Sequence, residues 1–542
     1  MKYLILLETS GNQRYIFSTN KLRENIGASE LTYQIGAIFT KDLAEKIPSE
    51  IEPIITTSGK ALLLVDNEKL AKAVVQAVTK HALLKMPGLT VHGAICKVED
   101  EHSAENLQQA ISEVHHRLEE IRHQVPSNLQ RFQRLPFAAE CASSNLPAQD
   151  VKIFYERRNG SLQEVERKVF SQPISTKRNA LVKPRVSSSQ DEKFNKSRIV
   201  KMLEDDFGVT LFEDLEELEK KFEKKINWLA VVHADGNGLG EIFLKFDKFA
   251  DMSSGTNYRK DYKEFSDAID VCTKNAFGNA LKKLQTKFPN NQIPVVPLIL
   301  GGDDLTFICD AEYAVNLTEE FLRNFETENS TNEVIKRLTK DTTLGICAGI
   351  AITKPHFPFH QSYALAEELL QSAKKSKQIS HSLSAFDYHV LYDSSSTKLE
   401  EIRGKTPFVA RPYIVTPKVD AINLAKKNVD YEKWIENHHF CELAKRVEVI
   451  SARDDDNKNK LPNSQLHILR EGLYVAKTTE DRQEEVDARA RLIEHRYETF
   501  KQLYVQDGTL FFDALLFDKK EDEKNTKLTH FLDALDIVKF WK

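Results

Sequence analysis

Apolar and polar positions along this chain follow two rhythms, one of strands and one of helices. Residues 2–9 form a short apolar run, and residues 19–43 carry apolar positions at helical spacing. Residues 51–65 read as two short strands around the turn Thr57-Ser58-Gly59-Lys60, followed by a helix over 68–84 and a strand over 90–98. The same order returns further along. Residues 228–234 read as a buried strand, and 262–284 as a helix with apolar Phe265, Ile269, Cys272, Ala276 and Ala280. Residues 295–300 and 305–309 make a hairpin, 311–327 a helix, 345–352 a strand and 362–375 a helix.

Each half therefore has the order β-α-ββ-α-β, the ferredoxin-like or palm arrangement, and its recurrence predicts a duplicated fold. The expected class is α+β: two ferredoxin-like palm domains, a helical linker and a helical C-terminal domain. The expected bounds are 1–120 for the first palm and 226–415 for the second, with a linker over 121–225 and a helical domain over 416–542. Within the linker, 134–196 reads as irregular, with Pro136, Pro147, Pro173, Pro184 and Ser187-Ser188-Ser189, and 191–225 as a charged helix.

Composition narrows the function classes. A chain of 542 residues with 41% hydrophobic and 29% charged residues is expected to be globular and multidomain. Its net charge of −5 argues against an indiscriminate polyanion binder, so any nucleic-acid contact would come from a local patch, such as the basic stretch 177–201. No apolar run reaches a membrane span and no signal peptide is recognisable, so a cytoplasmic protein is expected. The six cysteines are scattered without a C-x-x-C pair, which fits free thiols better than disulfides or structural zinc.

The candidate chemistry lies in the second unit. Nucleotidyl transfer uses two divalent cations about 4 Å apart, and magnesium favours convergent carboxylates plus substrate phosphates. The turn Gly301-Gly302-Asp303-Asp304 presents two carboxylates on a rigid hairpin. His233-Ala234-Asp235-Gly236-Asn237-Gly238-Leu239-Gly240 ends an apolar strand with a third, Asp235, and its glycines allow close approach to a phosphate. In a palm sheet these strands pair, so Asp235 is expected to face Asp303 and Asp304. Those three are the expected catalytic residues. The expected metal set is Asp235, Ala234, Asp303 and Asp304, with two Mg²⁺ or Mn²⁺ ions. The expected nucleotide contacts are Gly236, Asn237, Gly238, Leu239, Gly240, Gly301, Gly302 and Lys374. Taken singly, each motif is most often a solvated turn, and Lys374 a solvated lysine. The order of the two aspartate motifs within one palm unit reverses the odds for them, while Lys374 stays the weaker candidate. His233 reads as a strand residue rather than a ligand.

These motifs resemble the large palm-domain subunit of type III CRISPR effector complexes, in a shorter form without the N-terminal HD nuclease domain. Asp235 to Gly240 stands where that family has roughly Asp-Gly-Asp-Asn-Met-Gly, and Gly301 to Asp304 is intact. Gly345-Ile346-Cys347-Ala348-Gly349-Ile350-Ala351-Ile352 and Ala366-Glu367-Glu368-Leu369-Leu370-Gln371-Ser372-Ala373-Lys374 match its last strand and the helix after it. Phe386-Asp387-Tyr388-His389 and Arg411-Pro412-Tyr413 resemble the family's segment C-terminal to the palm. Gly11-Asn12-Gln13-Arg14-Tyr15-Ile16-Phe17 and Asn25-Ile26-Gly27-Ala28-Ser29-Glu30-Leu31 echo the family's first palm.

The resemblance implies a nucleotidyltransferase or cyclase that makes a cyclic oligonucleotide, an adenylate, from ATP as a second messenger in prokaryotic antiviral defence. It implies ATP or other NTPs as substrate, an RNA or protein activator and a downstream effector that senses the product; a homo-oligomer is a further option. The alternative is a non-catalytic nucleotide- or RNA-binding palm scaffold. Three departures are visible. Asn237 replaces a second aspartate, and Ser58-Gly59-Lys60 leaves the first palm without carboxylates, so that unit is expected only to close over nucleotides held by the second. Cys141-Ala142-Ser143-Ser144-Asn145-Leu146-Pro147-Ala148 resembles a zinc ribbon that has lost its partners.

Overall fold

The computed structural model describes residues 2–37, 50–124, 135–158, 161–181, 196–212, 228–289, 291–340, 342–392, 397–405, 409–426, 428–460, 462–475, 489, 517–518 and 527–542. The fold is α+β. Its first sheet has the order β2-β3-β1-β4, built from β1 (Lys2–Ser10), β2 (Ile51–Thr57), β3 (Lys60–Val65) and β4 (Thr90–Val98). All three pairings are antiparallel, and helices Leu22–Ala37 and Glu68–Lys85 make the crossovers expected from the sequence. Asn67 caps the second of these by accepting from Leu70 N–H.

The second sheet contains β7 (Leu229–Gly236), β8 (Val295–Gly301), β9 (Asp304–Asp310) and β10 (Ile346–Thr353) in the ferredoxin order β10-β7-β9-β8. It then extends by β11 (Ala385–Val390), parallel to β10, and β12 (Tyr413–Ile414). Central β7 is buried from Leu229 through Ala234 and β10 throughout, which explains their unbroken apolar runs. Each buried Val, Leu or Ile side chain there contributes roughly 1.5–3 kcal/mol. The Gly255–Gln285 helix begins seven residues before the expected 262, because Ser254 accepts from Asn257 N–H and starts it there.

Helix Phe359–Ala373 lies directly on β10. A Cβ on Gly349 would stand 1.9 Å from Ala366 O, so this approach requires glycine. The helix C-terminus consequently delivers Lys374 to the end of β7.

The linker departs from the expected irregular stretch: β5 (Asp150–Arg158) and β6 (Ser161–Phe170) form an antiparallel ribbon, followed by helix Gln172–Asn179. Charged residues interleave with Val151, Ile153, Val165 and Val169 there, which masks the strand signal. Cys141 packs with Phe170 and Ile174 in a small apolar cluster, and Lys177 of the basic stretch is buried, donating to Tyr15 O (2.5 Å) and Ser18 Oγ (2.7 Å). Most of the expected 191–225 helix and residues 182–195 lie outside the described residues, as does much of 476–526.

The two sheet units meet along a seam. Ser29 donates to Leu298 O on β8 (2.6 Å), and Phe17 packs on Tyr363 in a tilted pair with ring centroids 4.0 Å apart. At the far end, helix His530–Ile537 docks on the second sheet through Asp533, which accepts from Ala410 N–H (2.9 Å) and Tyr413 Oη–H (2.7 Å) and faces Arg411 (2.9 Å). Among the described residues all six cysteines are free, and no helix is long and apolar enough to cross a membrane.

Candidate active site

The β8–β9 ladder closes at the pair Gly301 and Asp304, leaving Gly302 and Asp303 as a two-residue connection. Gly302 has φ 61, the left-handed conformation that a tight hairpin of this length needs at its first position. Its N–H is donated to Asp270 Oδ1 at 2.7 Å, on the Gly255–Gln285 helix. The Asp303 carboxylate turns back over the end of β7, where the Gly236 N–H favours its charged form. A Cβ at Gly236 would lie 2.8 Å from Asp303 Oδ2 and 3.0 Å from Asp303 Cβ, so glycine is required for this contact.

The carboxylates are in unfavourable electrostatic surroundings. Asp304 is exposed at the surface, yet the protein around the pair is dense enough to weaken solvation of charge. That enclosure, followed by repulsion from Asp303, pushes Asp304 up to about 7. Desolvation also raises Asp303, opposed by the Gly236 N–H and by the cations Lys377 and Lys60.

Asp235 lies at the end of β7, opposite Cys347 on β10. Its carboxylate is hydrogen-bonded to Lys374 Nζ, which also reaches Gly236 O at 3.4 Å. Burial lowers the Lys374 ammonium to about 8. Among the described residues no group of three or more His, Cys, Asp or Glu side chains is arranged to hold a metal ion. The expected gathering of three carboxylates is thus resolved into an Asp303–Asp304 pair and a neighbouring Asp235–Lys374 ion pair.

Several of the expected positions are buried. Ala234 is fully buried, between Leu305 and Ala348 in the ladder, so its methyl belongs to the core; strand alternation sends it and Asp235 to opposite faces. Asn237 is also buried: its N–H bonds Gly345 O (2.9 Å) and its Nδ2 bonds Leu383 O (2.7 Å), so it braces the loop from inside. Gly238, at φ 71, lies under His381, and Leu239 is buried at the start of the short helix Leu239–Leu244. Gly240 has open space around it. His233 is a buried strand residue on Thr306 Oγ1 (2.9 Å), held down to about 4 mainly by desolvation.

Three neighbours lie outside the expected set of site residues. Asp270 is one. Another is the Ser58-Gly59-Lys60 turn of the first sheet, where Ser58 Cβ lies 3.4 Å from a Cβ placed on Gly301, and Lys60 is near enough to feel Asp303. Glu8, opposite Lys60 on β1, is bridged by Arg122 at 3.1 Å. The third is Tyr363, beside His233 and within electrostatic reach of Asp304. The signal at Ser58 to Lys60 was its equivalent place in the duplicated topology. Asp270 and Tyr363 carried none beyond their helical spacing.

Two ferredoxin-like sheets, with an acidic hairpin turn on the second facing a basic turn on the first, define a double-palm protein. Residues 228–383 match the family model described as Cas10/Cmr2, second palm domain. The fold as a whole is similar to that of solved Csm1 proteins. The Csm1-Csm4 cassette in complex with cA4 matches at TM-score 0.51 and 14% identity, over 99% of this chain and 69% of that one. The cassette in complex with pppApApA matches at TM-score 0.51 and 13% identity over the same shares, 99% and 69%. Csm1 of T.onnurineus matches at TM-score 0.50 and 15% identity, again over 99% and 69%. No curated protein matches the chain.

Proposed function

We propose that the protein is a metal-dependent nucleotidyltransferase that joins ATP into a cyclic oligoadenylate, a second messenger read by a downstream effector in prokaryotic antiviral defence. The observation that carries this reading is the Asp303–Asp304 pair, mutually repelling and packed on Gly236 beside Asp235. Solved proteins of the same fold, crystallised with cA4 and pppApApA, lend it support.

A divalent cation fits the pair. Two adjacent carboxyls raised by desolvation and mutual repulsion favour a bound cation over two free charges, and their oxygens are the hard donors that Mg²⁺ or Mn²⁺ prefers. Asp303 and Asp304 would hold the ions, joined by Asp235 once Lys374 turns to a nucleotide phosphate. Bound there, two ions would lower the pKa of an attacking 3′-hydroxyl and neutralise charge on the pyrophosphate leaving group. The reaction forms a bond from the 3′-oxygen to the α-phosphorus, breaks the bond between that phosphorus and the bridging oxygen to the β-phosphate, and releases a proton and pyrophosphate. The chain's own contribution is positional. The hairpin fixes the carboxylates, Gly236 leaves room for them, Lys374 supplies a cation for the triphosphate, and the Ser58 to Lys60 turn closes the opposite side.

Purified protein given the four nucleoside triphosphates and Mg²⁺ is expected to form a cyclic oligoadenylate, detected by mass spectrometry. The double variant Asp303→Ala, Asp304→Ala should lose the product while keeping its circular dichroism spectrum. Pyrophosphate release at the wild-type rate from that variant refutes the assignment. The buried Asn237 and the Asp235–Lys374 ion pair favour one second reading, a nucleotide- or RNA-binding palm scaffold. Nucleotide affinity undiminished by EDTA in calorimetry supports that scaffold.

A further inference from the structure

The Gly301-Gly302-Asp303-Asp304 turn is anchored from outside its own sheet. In a two-residue hairpin with positive φ at its first residue alone, that residue's N–H points away from the ladder and finds no strand partner. Asp270 supplies the partner, with Oδ1 2.7 Å from Gly302 N and 3.8 Å from a Cβ placed on Gly301. Its carboxylate sits midway along the Gly255–Gln285 helix, whose buried residues Phe265, Ile269, Cys272 and Ala276 hold it in place. Desolvation raises its pKa, while the Gly302 N–H, Arg198 and Lys274 favour its charged form. Arg198 is itself fixed to the first sheet unit: its guanidinium lies 3.5 Å over the Tyr33 ring, and its backbone N–H donates to Glu30 Oε2 at 3.3 Å. Tyr33 and Glu30 are on the Leu22–Ala37 helix, whose Ser29 bonds Leu298 O on β8. Arg198 thus joins that helix to the electrostatic surroundings of Asp270, which in turn bonds the Gly302 N–H.

We infer that Asp270 is a positioning residue: its bond to Gly302 N–H sets the orientation of Asp303 and Asp304. The activity arm of its test rests on the nucleotidyl-transfer reading; the metal arm does not. Asp270→Asn keeps a carbonyl oxygen for Gly302 N–H, whereas Asp270→Ala removes it. In titrations of Mn²⁺ into the full chain, Asp270→Ala should bind about tenfold more weakly and Asp270→Asn within about threefold of wild type. In turnover assays Asp270→Ala should need more Mg²⁺ for half-maximal rate and lose kcat at unchanged KM, with Asp270→Asn rescuing both. Wild-type Mn²⁺ affinity in Asp270→Ala, or equal impairment of the two variants, overturns the inference. Should Asp270→Ala not fold, residue-resolved amide exchange on the wild-type chain decides: Gly302 N–H should be protected, and exchange at the free-amide rate overturns the proposal. If the wild type makes no product but the Mn²⁺ pattern holds, the nucleotidyl-transfer reading fails and the role of Asp270 stands. Product formation with unchanged Mn²⁺ affinity gives the reverse.

Discussion

Enclosure and the adjacent Asp303 push the Asp304 carboxyl up to about 7, so protonation is expected to compete with cation binding between pH 6 and pH 8. A divalent cation binding to the pair must displace that proton, so its affinity falls as pH falls. For one displaced proton at this pKa, the fraction of ionised Asp304 changes about tenfold between pH 8 and pH 6. The raised Asp303 acts in the same direction, so about tenfold is the smaller bound on the loss of affinity. The assay is calorimetric titration of Mn²⁺ into the nucleotide-free protein at pH 6, 7 and 8 and constant ionic strength. Affinity that stays flat across this window refutes the reasoning, since it would mean that no carboxyl of the pair titrates there. The sign for stability is opposite to that of an ordinary salt-bridged aspartate. The folded state holds its proton more tightly than the unfolded chain, so cation-free stability is lost as pH rises from about 4 through about 7. Melting temperature in EDTA should accordingly be higher at pH 5.5 than at pH 8, and added Mn²⁺ should narrow the difference.

Other substitutions probe the scaffold and the ion pair at Asp235. Gly349→Ala places a Cβ 1.9 Å from Ala366 O and should destabilise by about 3 kcal/mol or more, read from urea denaturation; a loss below 1 kcal/mol would contradict the packing. Asp533→Ala leaves Arg411, 2% exposed, without its 2.9 Å partner and should cost about 3–5 kcal/mol in the same assay. Lys374→Met removes the cation beside Asp235 and should raise the KM for nucleoside triphosphate about tenfold or more, with little change in melting temperature. An unchanged KM would show that Lys374 does not contact the triphosphate.

The elements around the site were largely legible because their determinants are local. Buried strands such as β7 and β10 announce themselves as apolar runs, and Gly301-Gly302 marks a hairpin between two of them. The aspartates could be placed at strand ends because a ferredoxin-like order dictates which strands become neighbours, and β7 and β9 do pair. The ribbon over Asp150–Phe170 was missed because charges interrupt its alternation and prolines flank it. The period of two decides the faces at the end of β7: the Ala234 methyl enters the core and Asp235 takes the side that opens to Lys374.

What the sequence determined by itself was the repeated order of strands and helices, the acidic turn and the strand that ends on Asp235. Tertiary structure alone decided the partners of those groups. Lys374 meets Asp235 across 139 residues, Asp270 meets Gly302 across 32, and Ser58 reaches Gly301 from the other palm. Periodicity and turn chemistry are set by neighbours along the chain and can be read there. Charge pairing and desolvation depend on which surfaces the fold brings together, and no local pattern encodes them.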